Sequence, residues 1–218
     1  MITLIIIIVT CIVSFMAFSN GSIIERLIFY PPAISQQNQW YRFFSCGLIH
    51  ADMGHLFFNM FCFYSFGKFV ESAFSEMFGN GIGEFLYLLM YISALLICLL
   101  PSYFKNKNNY SYRSLGASGA VSAVVFASII LSPTSKIGIL FLPVGAPAFI
   151  FGILYLIISA VLDKRGAGGI NHSAHIYGGL YGIVFLIIMS KLFSQYDVIN
   201  GFIFQVRGYL SQYGIFNG

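Results

Sequence analysis

Long apolar stretches constrain this chain more than any other feature, because six of them follow one another with almost no charge inside. Only 8% of the 218 residues are charged, whereas a soluble domain carries roughly a quarter. Lipid is the solvent that explains this composition, so we predict a single all-α membrane domain of six transmembrane helices. The stretches cover residues 2–18, 55–70, 85–100, 115–131, 147–162 and 174–192.

The segments around the stretches define the predicted organisation. Residues 1–195 form the six-helix domain, and residues 196–218 form a C-terminal tail. The first loop, residues 20–52, is long and contains the only tryptophan, Trp40. Loops of this length usually fold on themselves or carry function. The first stretch lacks a basic start and a small-residue cleavage site, which favours an anchor helix over a signal peptide.

Composition also argues against other classes of protein. The formal charge of +4 is spread along the chain, with no basic run interleaved with aromatic residues, so nucleic-acid binding has little support. The four cysteines lack metal-type spacing, and we expect them to be small buried hydrophobic residues rather than a zinc site or a disulfide. No internal repeat supports an inverted-repeat transporter.

Polar side chains within the stretches are few, and such groups are costly in a membrane unless they function. They are His55 and Asn59 in the second stretch, Ser118 and Ser122 in the fourth, and His175 in the sixth. In a serpentine chain of six spans, the second, fourth and sixth begin on the same side. We therefore expect His55, Ser118 and His175 at similar depth under one membrane face.

Small residues flank the serine and follow the histidine at helical spacing. Ser118 lies among glycine and alanine in residues 116–120, and His175 is followed by Gly178 and Gly182. Small residues four apart let two helices approach closely. We predict that these two faces pack together and bring Ser118 within about 2.6–3.2 Å of His175, as a nucleophile and its general base require.

Acyl transfer also needs donors for the oxyanion. His55 and Asn59 are four residues apart, hence on one helix face, and both side chains can donate. With the backbone N–H of Ser118 they form the predicted oxyanion hole. None of the seven acidic residues falls within the fourth or sixth stretch, so a Ser–His dyad is favoured over a triad. A metal site is disfavoured, because His50 and His55 lie about 140° apart on a helix.

These residues resemble the rhomboid family of intramembrane serine proteases over residues 41–182. The motif Gly-x-Ser-Gly opens the fourth helix in that family, Ala-His-x-x-Gly-x-x-x-Gly lies in the sixth, and His-x-x-x-x-His-x-x-x-Asn enters the second. In the family, the first loop carries the pair Trp-Arg, and this chain has Tyr41-Arg42 at that position. The matching positions are Gly116, Ser118 and Gly119; His175, Gly178 and Gly182; His50, His55 and Asn59; and Arg42.

The resemblance implies a six-helix rhomboid-like bundle with a water-filled cavity open to the extracytoplasmic side of the cell (inner) membrane. Ser118 lies at its base, and the fifth helix and a glycine-rich flap at residues 166–169 act as gate and lid. Substrates are single-pass membrane proteins cut in or beside the span, and no metal or organic cofactor is implied. Some members carry at the position of Ser122 a tyrosine that packs on the imidazole, so His175 here needs other support.

The distribution of basic residues favours the opposite orientation from the family. With the N-terminus in the cytoplasm, the loops that follow the first, third and fifth helices lie outside, and they carry most of the basic residues, which the positive-inside rule disfavours. We predict the family orientation because the motif match is more specific than a charge count. The outside residues are Arg26, Arg42, Lys105, Lys107, Arg113, Lys164 and Arg165, and the inside ones are mainly Lys68, Lys136, Lys191 and Arg207.

Two alternatives from other classes stay open. A catalytically inactive relative that binds membrane proteins needs neither Ser118 nor His175, although both are present. A small transporter or channel needs a polar path through the membrane. Here the polar groups cluster at one side, and the far halves of the even-numbered stretches are apolar.

Overall fold

The protein is an α-helical bundle, which confirms the predicted fold class. The computed structural model describes residues 1–138, 145–165 and 171–214. The helices are α1 (Ile2–Ser19), α2 (Gly21–Leu27), α3 (Pro31–Gln37), α4 (Arg42–Ser45), α5 (Met53–Phe78), α6 (Ile82–Ile97), α7 (Leu100–Asn106), α8 (Ser118–Leu131), α9 (Ala148–Arg165), α10 (His172–Phe193) and α11 (Val198–Gln212). A 3₁₀ turn (Cys46–Leu48) follows α4, and the antiparallel strands β1 (Lys136–Gly138) and β2 (Gly145–Pro147) join α8 to α9.

Helix α8 is the centre of the bundle. Helices α5, α6, α9, α10 and α11 all pack against it, and ten of its fourteen residues are buried. A helix of fourteen residues is roughly 21 Å long, whereas the hydrocarbon core of a bilayer is about 30 Å thick. Ser118 is the first residue of α8, and a helix of this length does not by itself cross the hydrocarbon core.

Within the described residues, three helical segments are long and apolar enough to cross a membrane, namely α1, α10 and the pair α6–α7 taken together. Helix α8 is apolar but shorter. Helix α9 ends in Asp163, Lys164 and Arg165, and the 26-residue α5 carries several polar side chains. The chain is therefore a membrane protein, and the count of six spans stays a prediction.

Several helices begin or end at residues other than those predicted from the apolar stretches, because capping side chains and unusual backbone angles set these ends. Helix α5 begins two residues earlier than expected, because the Asp52 carboxylate accepts a hydrogen bond from the N–H of His55 at 2.8 Å. Helix α8 begins later, at Ser118, because Gly116 has φ +110° and cannot continue a helix. The prediction that the third helix stops at Pro101 is wrong: Pro101 lies in the first turn of α7, where its missing N–H costs nothing.

The long first loop folds on itself around Arg42. Arg42 is 7% exposed, and its guanidinium donates to the carbonyls of Glu25 at 2.9 Å and Ile28 at 2.8 Å. Its Nε also donates to the Gln39 side chain at 2.6 Å. Trp40 stacks on Phe43 with ring centroids 5.9 Å apart. Arg42 thus ties the turns of this loop together.

The C-terminal tail forms α11, which packs against α8 and α10. Asp197 caps its first turn, and Gln205 donates to the Leu131 carbonyl at 3.2 Å. The division at residue 195 stays a prediction. The four cysteines are free thiols, and Cys46 and Cys98 are buried.

Candidate active site

The central observation is a hydrogen bond between Ser118 and His175. The distance from Ser118 Oγ to His175 Nε2 is 2.7 Å, within the range that the sequence argument requires. Ser118 opens α8, and His175 lies in the first turn of α10. Both side chains are partly exposed, so water and a substrate can reach them. Nε2 faces the serine hydroxyl and can therefore accept its proton.

Close contact between α8 and α10 sets this distance. A Cβ atom added at Gly178 would collide with the backbone carbonyl of Gly119, and one added at Gly182 would collide with the backbone of Ala123. Both glycines of α10 are buried. The two helices thus pack backbone to backbone along the predicted faces, and Gly178 does not face lipid.

Gly116 makes room for the His55 ring next to the serine. A Cβ atom at Gly116 would lie 2.9 Å from His55 Nε2, and its φ of +110° is one that glycine adopts far more readily than other residues. The Gly116 N–H donates to the Cys46 carbonyl at 2.9 Å, which anchors the segment before α8 to the first loop. The Ala51 N–H donates to His55 Nδ1 with the two nitrogens 3.5 Å apart, a contact that favours the tautomer with its proton on Nε2.

Asn59 lies one turn below His55 and is 7% exposed. Its amide nitrogen donates to the His55 carbonyl at 3.0 Å, so one of its two N–H groups is already used within the helix. The second N–H remains available to a ligand. A cavity of 620 Å³ is lined by Ser118, His175, His55 and Asn59 together.

His50 supports the site from behind. It is fully buried, its ring lies 5.0 Å from that of His55, and its Nδ1 is 3.0 Å from Ser14 Oγ. Because Ser14 donates its own proton to the Leu48 carbonyl, Nδ1 of His50 must be the donor to Ser14. Nε2 is buried without a hydrogen-bond partner in the described part of the chain. Burial, with the nearby His55, lowers the pKa of His50 to about 3, while Asp52 acts in the opposite direction.

Acidification should therefore destabilise the protein through His50. The unfolded chain takes up this proton near pH 6.5 and the folded chain only near pH 3, so this stability is complete above pH 6.5 and is lost as the pH falls. The melting temperature in detergent should drop between pH 7 and pH 4. The His50→Asn variant keeps an N–H donor but cannot titrate, so its melting temperature should change less. Equal pH dependence in the two proteins contradicts this role.

Tyr155 is a site residue that the sequence reasoning missed. Its ring stacks on that of His175, with centroids 6.3 Å apart and planes at 23°. Its hydroxyl lies 2.9 Å from Ser122 Oγ. A single tyrosine in the apolar fifth stretch gives no sequence signal of this contact. Some members of the rhomboid family carry a tyrosine at the position of Ser122. In this chain Ser122 instead contacts a tyrosine on another helix, Tyr155 of α9.

A second cavity, of 700 Å³, adjoins the first and is mainly apolar. It lies between α5 and α9, with Phe58 and Phe61 on one side and Phe151 and Tyr155 on the other. Ser118 borders both cavities. The serine can therefore be reached from the side of the bundle as well as along the first cavity.

Within the described residues, no carboxylate joins the pair. In the parts of the chain that the structure describes, no acidic side chain hydrogen-bonds to His175, and Asp52 is used as the cap of α5. No three His, Cys, Asp or Glu side chains converge as a metal ion would require within residues 1–138, 145–165 and 171–214. The predicted flap at residues 166–169 lies outside the described residues.

Comparison with known families decides the classification. A model of the rhomboid domain matches residues 37–192. The chain belongs to the rhomboid family. The match includes all of the site residues described above except Ser14.

Named rhomboid relatives share about a third of their aligned residues with the chain. The chain is 33% identical to rhomboid-like protein 11, chloroplastic, of Arabidopsis thaliana in an alignment of 170 positions that covers 70% of this chain and 53% of the relative. It is 28% identical over 141 residues to presenilin-associated rhomboid-like protein A, mitochondrial, of Danio rerio (63% and 34%). The human presenilin-associated rhomboid-like protein, mitochondrial, is 30% identical over 141 residues (62% and 34%). The chain thus spans about half of the plant relative and a third of the others.

Proposed function

We propose that this rhomboid-family protein is an intramembrane serine endopeptidase that cuts peptide bonds in or near the transmembrane segments of other membrane proteins. The observation that carries the proposal is the 2.7 Å contact between Ser118 and His175 beside an open cavity. The rhomboid family includes serine proteases, which supports the same reading. The catalytic groups are Ser118 as nucleophile and His175 as general base.

The chemistry follows from the positions of the donors. His175 Nε2 takes the Ser118 proton as Oγ attacks the carbonyl carbon, and the resulting imidazolium gives that proton to the leaving amine. Water, deprotonated by the same imidazole, then attacks the acyl-Ser118 ester, which releases the new carboxyl end and returns the proton to Ser118. The first N–H groups of α8, starting with that of Ser118, lack acceptors within the helix and favour negative charge. His55 Nε2–H and the free N–H of Asn59 line the same cavity. These groups form the proposed oxyanion hole.

The proposed substrates are single-pass membrane proteins that reach Ser118 from the lipid bilayer. The mainly apolar cavity between α5 and α9 supports this route, because an unwound transmembrane segment presents apolar side chains. The mechanism uses no metal and no organic cofactor, and nucleic acid plays no part in it. We propose a multi-pass protein of the cell (inner) membrane, with the cavity of Ser118 open to the extracytoplasmic side.

A fluorophosphonate probe that reacts with activated serines tests the function directly. The purified protein in detergent or liposomes should label at Ser118 and should cleave members of a panel of transmembrane segments. An inactive membrane-protein binder, or a transporter, does neither. Absence of both labelling and cleavage in a folded sample contradicts the proposal.

The Asn59→Ala variant should lose turnover while keeping substrate binding. One oxyanion donor contributes about 2.7–4 kcal/mol in a soluble serine protease, and His55 and the Ser118 amide remain here. We therefore expect a loss in kcat of about a hundredfold, which corresponds to the lower end of that energy range. The measurement is kcat and KM on one cleaved segment. Unchanged kcat with a raised KM removes Asn59 from the hole and assigns it to substrate binding.

A further inference from the structure

Tyr155 contacts His175 directly and is linked to Ser118 through Ser122. Its ring lies nearly parallel to the His175 imidazole at a centroid distance of 6.3 Å, within the range of offset stacking. Ser122 Oγ lies 2.9 Å from the Ser118 carbonyl oxygen and 2.9 Å from the Tyr155 hydroxyl. Because the Ser122 hydroxyl has one proton and donates it to the carbonyl, the Tyr155 hydroxyl must donate to Ser122. A hydrogen-bond chain thus runs from Tyr155 to the backbone of Ser118.

The surroundings of Tyr155 hold its ring in this position. Phe126 of α8 lies 5.6 Å away at 59°, and Phe151, one turn earlier on α9, lies 6.2 Å away. The opposite side of α9 is exposed on the outside of the bundle at Ile153, Leu154 and Ile157. In the described part of the chain, no other aromatic ring lies parallel to His175, and the His172 ring meets it at 79°.

We infer that Tyr155 is a positioning residue for His175, and that Ser122 holds Tyr155 in place. The inference rests on the proposed function. The imidazole has no carboxylate to orient it in the described residues, so the Tyr155 ring limits its rotation and keeps Nε2 on the Ser118 hydroxyl. Because Tyr155 belongs to α9, the dyad is aligned only while α9 is packed against α8 and α10. Helix α9 therefore contributes to the chemistry as well as to the wall of the second cavity.

The test separates the ring of Tyr155 from its hydroxyl. The Tyr155→Leu variant loses both, and a misplaced base can cost about a hundredfold, so kcat and the rate of fluorophosphonate labelling should both fall about a hundredfold. Tyr155→Phe keeps the ring and loses one neutral hydrogen bond, so its kcat and labelling rate should fall about threefold to tenfold. Ser122→Ala should match Tyr155→Phe. The double variant should be no slower than either, because both remove the same bond.

Labelling with the small probe distinguishes positioning from substrate binding. Tyr155 also lines the second cavity, so a residue that only binds substrate should change KM and leave the labelling rate as it was. Tyr181→Leu is the matched control. The Tyr181 hydroxyl is 2.6 Å from Ser93 Oγ and links α10 to α6, so this variant loses an equivalent Tyr–Ser contact without touching His175. The melting temperature of Tyr181→Leu should fall, but its rate of labelling should equal that of the wild type.

Each result decides the inference. Wild-type labelling rates in folded Tyr155→Leu, or a loss no larger than that in Tyr181→Leu, overturn it while the proposed function stands. Failure of the wild-type protein to label overturns the proposed function and this inference with it. If Tyr155→Leu does not fold, equal partial losses in Tyr155→Phe and Ser122→Ala support the inference, and wild-type rates in both overturn it.

Discussion

Replacement of Ser118 by alanine should abolish cleavage and labelling while leaving the bundle folded. The change removes the only oxygen that lies within 2.7 Å of His175 Nε2 in the described residues, so no nucleophile remains for the base to activate. In a soluble serine protease, loss of the nucleophile costs on the order of 10⁶-fold in kcat. Stability should change little, because one partly exposed hydroxyl hydrogen bond contributes about 1 kcal/mol.

A serine on the same helix provides the control for this prediction. Ser128 is buried on α8 and donates to the Val125 carbonyl at 2.7 Å, remote from His175 in sequence and contact. Ser128→Ala should label like the wild type, and its melting temperature should fall by an amount similar to that of Ser118→Ala. Near wild-type turnover in Ser118→Ala rejects the mechanism.

The His175→Ala variant extends the same experiment. Groups that act as one unit give non-additive losses, so His175→Ala should be about as inactive as Ser118→Ala, and the double variant no worse than either. The readout is kcat for the two single variants and the double variant on one substrate. Losses that add in the double variant show that the two residues do not work as a pair.

Replacement of Gly178 by valine should inactivate the protein without removing any polar group. The new Cβ would lie well within contact distance of the Gly119 carbonyl, and that obstacle is helix backbone, which cannot rotate aside as a side chain can. Helices α8 and α10 must separate, and a displacement of about 1 Å between reacting groups can cost about a hundredfold in rate. We expect labelling at Ser118 to fall by about that factor, together with a clear loss of melting temperature.

A glycine with open space around it is the matched control. Gly208 lies in α11, and a Cβ there meets nothing within 4 Å. Gly208→Val introduces the same change in helix propensity, so it should label and melt nearly like the wild type. If Gly178→Val also labels and melts like the wild type, close packing of α8 on α10 does not hold the dyad together.

Much of the site could be predicted from short-range patterns. The spacing of Gly178 and Gly182 identified the face of α10 that packs on α8, because residues four apart share a helix face. A chain that crosses the membrane alternately begins its second, fourth and sixth apolar stretches on the same side, and this predicted the meeting of Ser118 with His175. Helix ends were less predictable, because they depend on single caps such as Asp52 and on the φ of Gly116.

The support of the imidazole depends on tertiary structure alone. The chain has fourteen tyrosines, and nothing local to Tyr155 distinguishes it from the other thirteen. Whether its ring reaches His175 depends on the tilt and rotation of α9 against α8 and α10, which many distant contacts set together. The sequence by itself determined a membrane-embedded helical bundle and the pairing of Ser118 with His175, because periodicity encodes which faces pack. Only the folded bundle decided which aromatic ring lies on His175, because that contact joins residues twenty positions apart through the packing of two helices.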